Sequence, residues 1–244
     1  MTDSVRSAVL LVIALASGCA PAPPSAEEQA SHPDFSGIWY VAEHDEVIRP
    51  NENDPPYTEE ALRRLQVFHD NFDTVNESAV TYCNSIGMPW SMLARARDYA
   101  REIYQTPDRV FVIFEYMDEF RSIHLDQTGV PDGFFGSKMG YSTAHWDGDE
   151  LVVETGGYAQ STIATDMQRS DEITTVEHWR LLNHPTYGES LEIEIEINDP
   201  RVYTEPRRGR ALWKRAPDDT VLNMYGCPAT LWEDFVLKRV PDAE

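Results

Sequence analysis

Residues 141–155 read YSTAHWDGDELVVET, two alternating runs joined by Asp147-Gly148. Asp-Gly between such runs is the strongest short hairpin signal, because a tight turn needs residues that accept positive φ. A two-residue turn there predicts His145 opposite Glu150 and Tyr141 opposite Glu154. Ser142, Ala144, Trp146, Leu151 and Val153 then share one face. Tyr141, Thr143, His145, Glu150, Val152 and Glu154 share the other, since side chains alternate along a strand.

The same period extends in both directions. Residues 191–197 read LEIEIEI, which points Leu191, Ile193, Ile195 and Ile197 inward and Glu192, Glu194 and Glu196 to water. Residues 173–182 form its partner across a loop holding His184, Pro185 and Gly188. Arg208–Arg215 and Thr220–Tyr225 close the series. Upstream, VFVIFEY (110–116) and residues 120–126 form a hairpin around Met117-Asp118-Glu119. That loop sets Glu115 opposite Arg121, Ile113 opposite Ile123 and Phe111 opposite Leu125, with Phe114, Tyr116, Ser122 and His124 on the second face. With residues 35–41 and 101–105, roughly ten strands follow at hairpin spacing, which predicts an all-β antiparallel barrel or sandwich. One flanking helix is expected after Thr58, a capping residue followed by Glu59 and Glu60. Its apolar face is Leu62, Leu65, Phe68 and Phe72.

The start of the chain reads as an address. Residues 8–16 (AVLLVIALA) are too short to span a bilayer, which takes ~20 residues, and suit a signal-peptide core. Ala16-Ser17-Gly18-Cys19 resembles the lipobox of bacterial lipoproteins, in which the cysteine is lipidated and becomes the new N-terminus. The expected organisation is a signal peptide over 1–18, a Pro/Ala/Ser/Glu tether over 19–34 and a single β-barrel domain over 35–244. The expected location is the periplasmic face of a bacterial membrane, held through a lipid anchor alone. Cys83 and Cys227 remain, and in an exported domain they suggest a disulfide.

Charge and motif content exclude several functions. With 42 acidic against 20 basic side chains, the formal charge of −22 repels phosphate backbones, so no nucleic-acid partner is expected. The seven histidines show no tight ligand spacing, and there is no CxxC, so neither a metal nor a cofactor is expected. His124-x-Asp126 offers two ligands on one strand face at most. Gly136-Ser137-Lys138 lacks the spacing of a phosphate-binding loop, and no nucleophile elbow is present.

Two resemblances add to this reading. Gly37-Ile38-Trp39 ahead of an antiparallel meander is similar to the start of lipocalin-like barrels, which implies such a barrel with room for one small ligand. GMP (87–89), EIYQTPDRV (102–110), FEYMDEFR (114–121), WDGDELVVET (146–155) and NDPRVYTEP (198–206) resemble a large set of uncharacterised exported bacterial proteins. That resemblance implies an exported, β-rich protein and no particular chemistry. This chain departs from that family's pattern at Tyr141 and Arg169, where the family tends to carry histidine.

The functional expectation is an exported lipoprotein that binds or carries a small, mostly apolar molecule in the barrel. The candidate ligand-binding residues are Glu115, Tyr116, Arg121, His124, Tyr141, His145 and Trp146. A carboxylate held by arginine in an apolar barrel can orient a ligand or act as a base. One alternative is a cofactor-independent hydrolase, isomerase or lyase in the same pocket. A second is an envelope interaction protein, which a filled barrel with an exposed apolar patch favours.

Overall fold

The computed structural model describes residues 32–44, 56–73, 76–77, 81, 83–93, 99–160, 168–226 and 238–240. Cys19, Cys227, the signal segment and most of the tether lie outside the described residues. Nine strands among them close into a barrel in chain order. They are β1 (Gly37–His44), β2 (Arg101–Gln105), β3 (Arg109–Phe114), β4 (Glu119–Leu125) and β5 (Tyr141–Asp147). The series continues with β6 (Glu150–Gly156), β7 (Thr174–His184), β8 (Gly188–Asn198) and β9 (Arg207–Arg215). Closure comes from β1 pairing with β9, Trp39 opposite Arg215.

Two expectations about the sheet are corrected. Residues 220–225 are not a strand, so the count is nine rather than ten. The barrel is also not antiparallel throughout, because β4 runs parallel to β5, with Ile123 beside Ser142 and Leu125 beside Ala144. The physical reason is the long connection over 126–140, which carries the chain back to the start of its neighbour instead of turning it.

The alternation holds where it is strict. Leu191, Ile193, Ile195 and Ile197 are all buried against β7 and β9. In β5–β6 the faces are as expected but the partners differ: Asp147 opposes Glu150 and His145 opposes Val152. The turn is Gly148-Asp149, with Gly148 at φ 63 in the first central place, as a type II′ turn requires.

The β3–β4 hairpin is shifted by an odd number of residues, and an odd shift exchanges the two faces of a strand. Phe114 opposes Glu119 and Val112 opposes Arg121, so Glu115 does not face Arg121. The loop is Glu115–Asp118, a 3-10 turn in which Met117 (φ 65) and Asp118 (φ 50) take left-handed conformations without being glycine. Val110, Val112 and Phe114 therefore point into the barrel, and Phe111 stacks on Phe120 on the outer wall at 5.6 Å.

The flanking helix is α1 (Glu59–Asn71), capped by the Thr58 hydroxyl, which accepts from the Ala61 N–H at 3.1 Å. Its buried face is Ala61, Phe68 and the cap residue Phe72, whereas Leu62 is exposed. A four-residue helix, α2 (Trp90–Leu93), packs on β9, where its Met92 carbonyl accepts the Trp213 indole N–H at 3.2 Å. Gly37 (φ 131) leaves the space into which Arg215 reaches, 4.0 Å over the Trp39 ring, so Trp39 and Arg215 seal one end of the barrel.

Candidate functional site

Large buried side chains line the barrel interior. Trp39, Trp179, Trp213, Phe35 and Arg121 are among its largest fully buried side chains. Arg121 forms a two-pronged ion pair with Glu177, at 2.9 Å and 2.6 Å. It also donates to the Ser142 hydroxyl (3.1 Å) and the Thr155 hydroxyl (2.9 Å), while the Trp179 indole N–H donates to Glu177 at 3.0 Å. Beside this network Tyr158 hydrogen-bonds Thr175 at 3.0 Å, and burial pushes its phenol up to about 12. These partners come from β4, β5, β6 and β7, one layer of the inner wall. A buried charge is tolerated only when paired and hydrogen-bonded, which this one is. These mutual bonds fit a structural role.

An open cleft lies at the end of the barrel where the β3–β4 hairpin turns. Its walls are Ser85, Ile86, Trp90, Ser91, Tyr99, Ala100, Arg101, Phe114, Tyr116 and Glu119. The cleft encloses about 20 Å3, and about 380 Å3 when its mouth is included. The enclosed part holds about one water, so anything larger sits in the mouth.

Local geometry explains how this wall forms. Gly87 has φ 72, and a Cβ there would lie 2.5 Å from the Lys138 carbonyl oxygen. That carbonyl accepts the Met88 N–H at 3.0 Å, which sets the course of the chain into α2. Ser91 on α2 donates to Glu119 at 2.8 Å, and Ser85 donates to the other oxygen of the same carboxylate. Arg101 lies behind them, donating to the Tyr99 carbonyl at 3.1 Å with its guanidinium 5.1 Å over the Trp213 ring. Burial pulls Arg101 down to about 10, so it stays charged at neutral pH.

At the rim, Tyr99, Tyr116 and Tyr225 pack on one another with ring centroids 5.1–5.3 Å apart. Tyr225 is placed by its chain, whose N–H groups at Asn223, Tyr225 and Gly226 donate to Glu115 and Asp118.

The seven sequence candidates are not brought together. Tyr116 lines the cleft, and Glu115 stands at its rim, accepting the Ala100 N–H at 2.7 Å. Arg121 is in the interior with Glu177. His124 and Tyr141 stack on the outer wall at 4.6 Å, where the Tyr141 hydroxyl donates to Gln127 at 3.1 Å. His145 is exposed. Trp146 is at the opposite end of the barrel, sandwiched between His32 (4.5 Å) and Phe35 (5.6 Å). Arg169 is buried and donates to the Ala159 carbonyl at 2.8 Å and the Met88 carbonyl at 3.3 Å.

Of the cleft walls only Tyr116 is a sequence candidate; Ser85, Trp90, Ser91, Tyr99, Arg101, Phe114 and Glu119 are among those missed. The Gly87-Met88-Pro89-Trp90 break, which has the punctuation of a built loop, is a signal for the Ser85–Ser91 segment alone. Among the described residues no group of His, Cys, Asp and Glu is placed to hold a metal ion. No family model matches this chain, and no curated protein matches it.

Proposed function

We propose that this protein is an exported lipoprotein that binds a small, mostly apolar molecule at the cleft at the β3–β4 end of its barrel. The observation that carries this reading is the convergence of Trp90, Tyr99, Phe114 and Tyr116 with a hydroxyl-held carboxylate, Glu119, at an open cleft. Binding sites are mostly apolar concavities with a few placed polar groups, which is this composition. The large buried side chains of the interior favour a pocket at the end of the barrel over one at its centre. The likeness to lipocalin-like barrels enters here through Gly37 and Trp39 at the sealed end alone.

Export and the anchor belong to the same proposal. A lipid on Cys19 tethers the domain, and the chain is packed on the barrel from His32 onward, at the end opposite the cleft. A Cys83–Cys227 disulfide completes the proposal; Cys83 is not left without a partner.

The test is a titration of the mature domain with the neutral dye N-phenyl-1-naphthylamine, followed by amide and indole NMR shifts. Shifts clustered on Ser85, Trp90, Ser91, Tyr99 and Glu119, weakened about tenfold by Tyr116→Ala with an unchanged melting curve, support the reading. Shifts confined to the loop of Val130, Phe134 and Phe135, or none, overturn it. The first of those outcomes supports the second reading, an envelope interaction protein, which the fully exposed Phe135 favours.

A further inference from the structure

We infer that the ligand of this cleft is an organic cation, an alkyl- or arylammonium whose charged head meets Glu119 and the tyrosine rims. The inference rests on the binding reading above and names its ligand class.

Three observations point to it. First, Glu119 is half-buried and forms no ion pair among the described residues. Its two oxygens accept one hydroxyl each, from Ser85 and Ser91, and a carboxylate has lone pairs beyond those two bonds. Second, among the described residues, the two arginines beside Glu119 donate to backbone carbonyls. Arg101 donates to the carbonyls of Tyr99 and Ser91 and lies over Trp213. Arg169 senses Glu119 through space but donates to the carbonyls of Ala159 and Met88. Third, the mouth is walled by Trp90, Tyr99 and Tyr116, whose ring faces attract a positive charge.

Competing ligand classes fit less well. A hard metal ion needs several oxygen ligands, and no such group exists among the described residues. An anion meets the carboxylates of Glu115, Asp118 and Glu119 on the hairpin tip, none of which forms an ion pair among the described residues. The net charge of −22 adds to this by raising the local concentration of cations and lowering that of anions. The enclosed volume admits little more than the edge of a ligand, so the cation sits at the mouth against the rings.

The experiment compares benzyltrimethylammonium with benzyl alcohol, a neutral probe of the same ring, by NMR titration of the mature domain at low and moderate salt. Shifts on Trp90, Ser91 and Glu119 with the cation, binding about tenfold weaker in Glu119→Gln, and benzyl alcohol unaffected by that change support the inference. Tyr116→Leu keeps an apolar wall but removes a π-face, so it weakens the cation selectively. It provides a second variant should Glu119→Gln unfold, which near-UV circular dichroism reports. Equal binding of both probes in the wild type, untouched by either variant, overturns the cation while leaving the binding reading standing. Binding of neither probe, with the neutral dye also excluded from the cleft, overturns both.

Discussion

Glu177 and Glu119 are the same residue type in two different settings. Glu177 is fully buried, and Arg121 and Trp179 occupy its oxygens. Glu119 is half-buried, held by two hydroxyls, and has no ion pair among the described residues. The difference teaches that a carboxylate in a barrel is not a site by virtue of being there. What separates structure from recognition is whether its bonding capacity is used up by the fold.

The largest expected effect comes from breaking the interior. Arg121→Ala leaves Glu177 as an uncompensated buried charge, and such losses cost about 3–5 kcal/mol. Urea denaturation measures it. A double change of Arg121→Met with Glu177→Leu restores most of that stability, because well-packed apolar replacements of a buried pair are often neutral. A loss below about 1 kcal/mol for the single variant would sink the assignment of this network to structure.

Gly87→Ala tests the wall of the cleft and comes next. At φ 72 an alanine is strained, and its Cβ meets the Lys138 carbonyl carbon and oxygen at 3.0 Å and 2.5 Å. A non-glycine residue forced into such a position costs about 1–3 kcal/mol. The same variant weakens probe binding, since Ser85 and Ser91 flank that turn. A fully stable variant with intact binding would show that the turn does not place the wall.

The paired substitution sharpens the contrast further. Glu177→Gln is expected to lose several times more stability than Glu119→Gln, which stays within about 1 kcal/mol because partly exposed polar groups are screened by solvent. Calorimetric melting of both variants in one buffer decides it. Equal losses would mean that the fold depends on Glu119 no less than on Glu177.

Much of the barrel was readable from the chain because a period of two is enforced by burial. LEIEIEI leaves no second solution, so the inward set Leu191–Ile197 is found as expected. Asp147-Gly148 named the hairpin and both faces correctly, yet the turn moved one residue along, because Gly suits either central position of a tight turn. At β3–β4 the pattern failed for a physical reason. VFVIFEY is apolar at nearly every position, so it does not say which face is inward. The loop there uses left-handed Met117 and Asp118, residues that carry no turn signature. That odd shift removed Arg121 from Glu115 and with it most of the expected site. The cleft itself was unreadable because its walls come from distant segments, Ser85–Ser91, Tyr99–Arg101 and Phe114–Glu119, which only barrel closure brings together.

The smallest effect concerns the outer wall, a third setting for a polar side chain. His124 stacks on Tyr141, and its Nδ1 has no hydrogen-bond partner among the described residues. Burial, and then the charge of Arg109 across the β3–β4 pair, lower its pKa from the ordinary 6.5. The folded state thus holds fewer protons than the unfolded state between the two values, so stability rises with pH across that window. The contribution of His124 is present above about pH 6.5 and is lost as pH falls through the folded value. The wild type should therefore lose stability relative to His124→Gln as the pH drops from about 7.5 to 5, read from unfolding free energies of both. A wild type that instead gains stability relative to the variant as the pH falls would mean that protonated His124 finds a carboxylate such as Asp108, and that this face behaves like the cleft rather than like the core.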